Sequence, residues 1–165
     1  MNIEKHDKLS SDLKQKSAEI STLAGEIWRE HYTAIIGAGQ VEYMLERFQT
    51  AQQIYIDIKE NNYVYFSANC PKTKTMTGYC AVQPRDGHLF LSKIYVRKSE
   101  RGKGIAHSFL EKVREFDYNI IRLTVNKHNS GAIAVYKKEG FEIIDEVNVN
   151  IGGGYFMDDY VMEIR

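Results

Sequence analysis

The chain has 165 residues, and its 22 Lys plus Arg balance 22 Asp plus Glu to a formal charge of zero. A single domain covering 1–165 is long enough to bury about two-thirds of its unfolded surface without a disulfide or a metal, and 43% hydrophobic with 27% charged residues is an ordinary globular composition. Zero net charge argues against a protein that grips nucleic acid through bulk electrostatics.

The first residues, Met1 to Lys8, contain no apolar core for a secretory signal. From Leu9 to about Tyr32 the apolar positions Leu9, Leu13, Ile20, Leu23, Ala24, Ile27 and Trp28 recur at helical spacing, with Ser10 or Ser11 placed to cap. Ile35-Ile36-Gly37-Ala38-Gly39 breaks that helix. Val41, Met44, Leu45 and Phe48 predict a second, and Ala51 to Asn61 a short third. At Tyr63 the usage switches to aromatic and β-branched residues, so Tyr63–Phe66 and Met76–Val82 read as strands. Pro84-Arg85-Asp86-Gly87 reads as a turn, and His88 to Val96 as a long strand. An amphipathic helix follows through Ile105, Phe109, Leu110, Val113 and Phe116. Ile120–Val125 is a strand, Ala132–Lys138 a helix, and Phe141–Val149 with Tyr155–Ile164 a closing pair around three glycines. This order predicts a mixed α/β (α+β) sheet with helices on its faces. Nothing approaches the roughly 18 apolar residues of a membrane span, and Cys70 and Cys80 have neither framework nor metal spacing. The expected protein is cytoplasmic, free of membrane and without a metal site.

The chemistry concentrates after the long strand. Ser99-Glu100-Arg101-Gly102-Lys103-Gly104-Ile105-Ala106 carries the chain through glycines into a helix. Such a loop exposes consecutive N–H groups at the positive end of the helix dipole, a setting that favours anionic phosphate. Lys93, Arg97, Lys98, Arg101 and Lys103 add positive charge within eleven residues, opposed only by Glu100. The loop lacks the Lys-Ser/Thr pair of a P-loop, and His107 occupies the place of the third glycine in a dinucleotide fingerprint.

Arg101-Gly102-Lys103-Gly104-Ile105-Ala106 resembles the Arg/Gln-x-x-Gly-x-Gly/Ala signature of the GCN5-related N-acetyltransferase (GNAT) superfamily. Downstream, Asn129-Ser130-Gly131-Ala132 through Tyr136 to Gly140-Phe141 is similar to that family's Asn-x-x-Ala-x-x-x-Tyr-x-x-x-Gly-Phe segment. Asn129 suits a helix cap and Gly140 a helix exit. The resemblance implies a mostly antiparallel seven-stranded sheet whose fourth strand bulges from its neighbour. It implies acetyl-coenzyme A as co-substrate, with the pantetheine arm along Ile94, Tyr95 and Val96. The pyrophosphate would lie on the amides of Arg101, Gly102, Lys103, Gly104, Ile105 and Ala106, Asn129 would touch pantetheine, and Tyr136 would face the sulfur as catalytic acid.

The implied function is acetyl transfer to a primary amine (a small amine, a polyamine or an amino terminus) by direct attack in a ternary complex. The alternative is a silent acyl-coenzyme A sensor, motivated by the absence of a carboxylate in Leu89-Phe90-Leu91-Ser92-Lys93. Glu30-His31-Tyr32-Thr33, Val41-Glu42-Tyr43-Met44 and the segment from Ile151 to Met162 look similar to the bacterial polyamine acetyltransferase branch. Glu139, Glu142, Asp145, Glu146, Asp158, Asp159 and Glu163 read either as an acidic wall for a cationic acceptor or as solvated strand edges. His31, His88, His128, Asp158 and Asp159 are the candidate general bases. Exposed edges in the C-terminal hairpin allow a homodimer.

Overall fold

A computed structural model describes all residues, 1–165, as one seven-stranded sheet with helices on both faces. Strand β1 (Asn2–His6) leads into α1 (Leu13–Ile36), α2 (Ala38–Phe48) and α3 (Ala51–Glu60). The antiparallel strands β2 (Val64–Asn69), β3 (Met76–Arg85) and β4 (His88–Val96) follow. Next come α4 (Ile105–Arg114), β5 (Ile121–Asn126), α5 (Ser130–Lys138), β6 (Glu142–Gly152) and β7 (Tyr155–Ile164). Across the sheet the order is β1-β2-β3-β4-β5-β7-β6, and β4–β5 is the one parallel pair.

Side-chain alternation divides the core. Fifteen buried residues, among them Ile20, Trp28, Ile54, Tyr65 and Tyr79, pack α1, α2 and α3 on one face. Seventeen more, including Phe66, Leu89, Phe109, Leu123 and Met162, pack α4 and α5 on the other. Cys80 is fully buried within this second cluster as a small core residue.

Several boundaries differ from the sequence reading. The first helix begins at Leu13, leaving Leu9 86% exposed. Its N-cap is Asp12, not Ser10 or Ser11; the Ser10 hydroxyl instead accepts from the Asp7 N–H (3.0 Å), closing the turn before the helix. Gly37, at φ +84°, separates α1 from α2. Pro84 belongs to β3, opposite Leu89. It is tolerated there because β2 stops pairing at Val82, so the strand is an edge by that point. The turn reduces to Asp86-Gly87, with Gly87 at φ +75°.

Two irregularities shape β4. Lys93 pairs with Ala81 and Leu91 with Val82, so Ser92 is an extra residue, a β-bulge. Pairing with β5 covers Leu89–Leu91 against Ile121–Leu123 and then ends. Beyond that point β4 is bonded only to β3 and β5 only to β7, and the sheet opens between them.

Candidate active site

The opening between β4 and β5 is a cavity of about 840 Å³. One wall is the free side of Ile94–Val96, where backbone N–H and C=O groups lack a neighbouring strand. The cavity mouth is the loop before α4. Gly102 and Gly104 take φ +77° and +80°, the left-handed region, and Gly104 is the helix N-cap. A β-carbon at either would meet open space, so it is the backbone turn, not crowding, that requires glycine. The turn leaves the N–H groups of six consecutive residues, Gly102 to His107, without an acceptor in the protein. Arg101 Nε donates back to the Val96 carbonyl (3.1 Å), tying this loop to the strand.

On the helix α1 side the cavity is aromatic. Trp28, Tyr32 and Tyr95 contact one another edge-on or tilted, with ring centroids 4.6–6.1 Å apart. Asn129 caps α5, its Oδ1 accepting from the Ala132 N–H (3.4 Å). That oxygen also accepts from His31 Nε2 (3.1 Å), while Nδ2 donates to the Tyr32 hydroxyl (3.2 Å). Tyr136 enters from α5, 8% exposed and edge-on to Phe141 (5.8 Å). Burial pushes its phenol above the usual tyrosine range, with Tyr32 adding to the effect, so it stays protonated at neutral pH. Asp159, on β7 opposite Asn126, faces the same cavity and is 5% exposed. Burial and the neighbouring Asp158 carboxylate push it up to about 6, against opposing pulls from Thr124 and Lys127.

The sequence profile described as the acetyltransferase (GNAT) family matches residues 24–141, which include the free edge of β4, the glycine loop and Tyr136. The chain belongs to the GNAT family. Among solved structures, the PaiA N-acetyltransferase from Thermoplasma acidophilum in complex with coenzyme A is similar with TM-score 0.78. It is 20% identical, with 99% of this chain and 98% of that one covered. NAA60 from Arabidopsis thaliana, in complex with a bisubstrate analogue, gives 0.64 at 16% identity over 99% and 97%. A GNAT acetyltransferase from Elizabethkingia anophelis with acetyl-CoA bound gives 0.53 at 18% over 66% and 80%. A search of curated protein sequences returns no significant match.

Within this GNAT domain, Ile94, Tyr95, Val96, Arg101, Gly102, Gly104, Ile105, Ala106, Asn129 and Tyr136 line one cavity. Lys103 does not; it is exposed and pairs with Glu100 (3.0 Å). The basic run is not one surface. Arg97 turns to Glu26 of α1 (2.6 Å). The bulge turns Lys93 from the face of Leu89 and Leu91 to the α1–α3 face, where it borders the cavity but is only 8% exposed, with its Nζ over the rings of Tyr63 (4.9 Å) and Tyr65 (5.5 Å). The late acidic residues disperse too, and only Glu139 and Asp159 of the seven reach the cavity. Glu163 is buried against Arg122, and Asp158 and Glu146 both pair with Lys127.

Of the candidate bases, His31 and Asp159 line the cavity, whereas His88, His128 and Asp158 do not. Neither cysteine lines it. Trp28 was legible only as part of a helix's apolar face. Its place in the site follows from the packing of α1 across the open sheet, which periodicity does not encode.

Proposed function

We propose that this GNAT domain transfers the acetyl group of acetyl-coenzyme A to a primary amine by direct attack in a ternary complex. The observation that carries the reading is the run of six unpartnered amides at the mouth of a cleft whose inner wall is an unpaired strand edge. Amides at a helix start suit a pyrophosphate. A free strand edge suits the amide groups of pantetheine. Arg101 supplies the fixed positive charge at the mouth, and Ile94, Tyr95, Val96 and Asn129 line the path of the arm. At its end Tyr136 lines the cavity, and its phenol is placed to hydrogen-bond the departing sulfur and hand it a proton as charge builds there. Backbone N–H groups on the open side of β4 are placed to steady the developing oxyanion.

The acceptor would enter from the α1 side, where Trp28, Tyr32 and Tyr95 form a wall suited to an alkylammonium ion. The dispersal of the late carboxylates removes the acidic wall that would favour a polyamine over other primary amines.

The test is thiol release from acetyl-CoA in the presence of spermidine, benzylamine or a short peptide with a free amino terminus. Release above the uncatalysed rate with at least one of them is expected. Binding of acetyl-CoA without release would favour a silent sensor instead.

A further inference from the structure

Of the three carboxylates that line the cavity, Glu100 pairs with Lys103 and Glu139 with His107 and Arg114, whereas Asp159 has no such partner. Asp159 sits on β7, across the ladder from Asn126, at the end of the sheet where β5 has parted from β4. Its strand alternates strictly here: Met162 points into the α4 and α5 core, so Asp159 and Val161 point to the opposite face, toward α1. That is the face on which Trp28, His31 and Tyr32 close the cavity. Asp159 forms no ion pair in the protein, unlike its neighbour Asp158, which holds Lys127 at 3.0 Å. A carboxylate 5% exposed, opening on a cavity and left without a cation, is matched to an incoming positive charge.

We infer that Asp159 is the general base that takes the proton from the acceptor's ammonium group. The inference rests on the transfer reading above. The acceptor R–NH₃⁺ gives one proton to the Asp159 carboxylate, and the freed nitrogen lone pair forms the N–C bond at the acetyl carbonyl. The C–S bond then breaks, sulfur leaves with the electron pair and takes the Tyr136 proton, and Tyr136 is reprotonated by the second proton shed from the nitrogen. Asp159 returns its proton to water, so the net products are the amide, the thiol and one proton.

The groups that act on Asp159 are Tyr32 from α1, the Thr124 hydroxyl from β5, Lys127 from the turn after β5, and Asp158 beside it; His31 lines the same cavity, bonded to Asn129. Its affinity for protons, raised to about 6, brings it closer to an alkyl amine near 10.4 than a solvent-exposed aspartate would be.

The experiment compares pH profiles of kcat/KM for wild type, Asp159→Asn and Asp158→Asn, using the best amine of the panel. Wild type should lose activity on an acid limb near pH 6 and hold a plateau above it. Asp159→Asn should lower turnover at pH 7 by about 10²–10⁴. Its rate should rise close to tenfold per pH unit toward the amine's own pKa, because only amine already neutral in solution then reacts. Acetyl-CoA should raise its melting temperature as in wild type. Asp158→Asn, which removes the neighbouring negative charge, should keep the plateau and move the acid limb to lower pH. The inference is overturned by a wild-type profile in Asp159→Asn, or by loss of the acetyl-CoA thermal shift in that variant, which would mark a structural role. Wild type that releases no thiol with any amine would overturn the transfer reading itself.

Discussion

Lys93 carries its amine into the interior between α3 and the sheet. The nearest carboxylate, Asp57, already accepts hydrogen bonds from Gln53 (2.9 Å) and Asn61 (3.0 Å). Burial lowers the Lys93 amine to about 8, and Asp57 opposes the shift only in part. A base held below its unfolded value near 10.5 binds fewer protons when folded. Stability is therefore lost as pH falls from about 10.5 through about 8. Lys93→Met keeps the stem and removes the charge. It is expected to raise stability at pH 7 by roughly 2 kcal/mol and to flatten the profile between about pH 8 and 10.5. Urea denaturation across that range would check it, and parallel profiles for the two proteins would contradict it. At Tyr136, replacement by phenylalanine removes a proton donor and keeps the ring against Phe141. Turnover should fall on the order of 10²-fold, with the acetyl-CoA dissociation constant nearly unchanged by calorimetry. Tyr136 and Asn129 were legible because a spacing announced them. The face that Lys93 takes was not, because a bulge reverses the alternation after Leu91 and no local residue type reveals it.

At the scale of elements, the loop into α4 depends on two glycines in left-handed backbone. Gly104→Ala would place a β-carbon where φ is +80°, costing about 1 kcal/mol and lowering the melting temperature by about 2–4 °C. The same change would tilt the free amides of Gly102 to His107 and weaken acetyl-CoA binding, read by titration calorimetry. Unchanged affinity would argue that these amides do not hold the phosphates. Strands β4 and β7 match the sequence reading end to end, because a glycine fixes the start of each, Gly87 before β4 and Gly154 before β7. The start of α1 does not, because Asp7-Lys8-Leu9-Ser10 closes a turn through side-chain bonds that mimic a helix start. The site itself lies between elements, where β4 and β5 separate. The chain's local pattern names both strands but not the point of parting.

For the molecule as a whole, the balance of 22 against 22 is spread through the structure instead of concentrated in opposed patches. Arg97 and Lys93 are spent on α1 and the interior, and most late carboxylates pair with Lys127, Arg122 or Arg114. What remains along the cleft is Arg101, Lys138 and the free amides, with Asp159 inside. No helix is long and apolar enough to cross a membrane. Thermal unfolding with and without acetyl-CoA tests the central claim, that this cleft holds the acetyl donor. At a concentration about 100 times its dissociation constant the ligand should add about 2.7 kcal/mol, a rise of roughly 5–10 °C. Arg101→Glu, which sets a negative charge beside the phosphates, should abolish that rise. No shift in the wild type at millimolar acetyl-CoA, or an undiminished shift in Arg101→Glu, would contradict it.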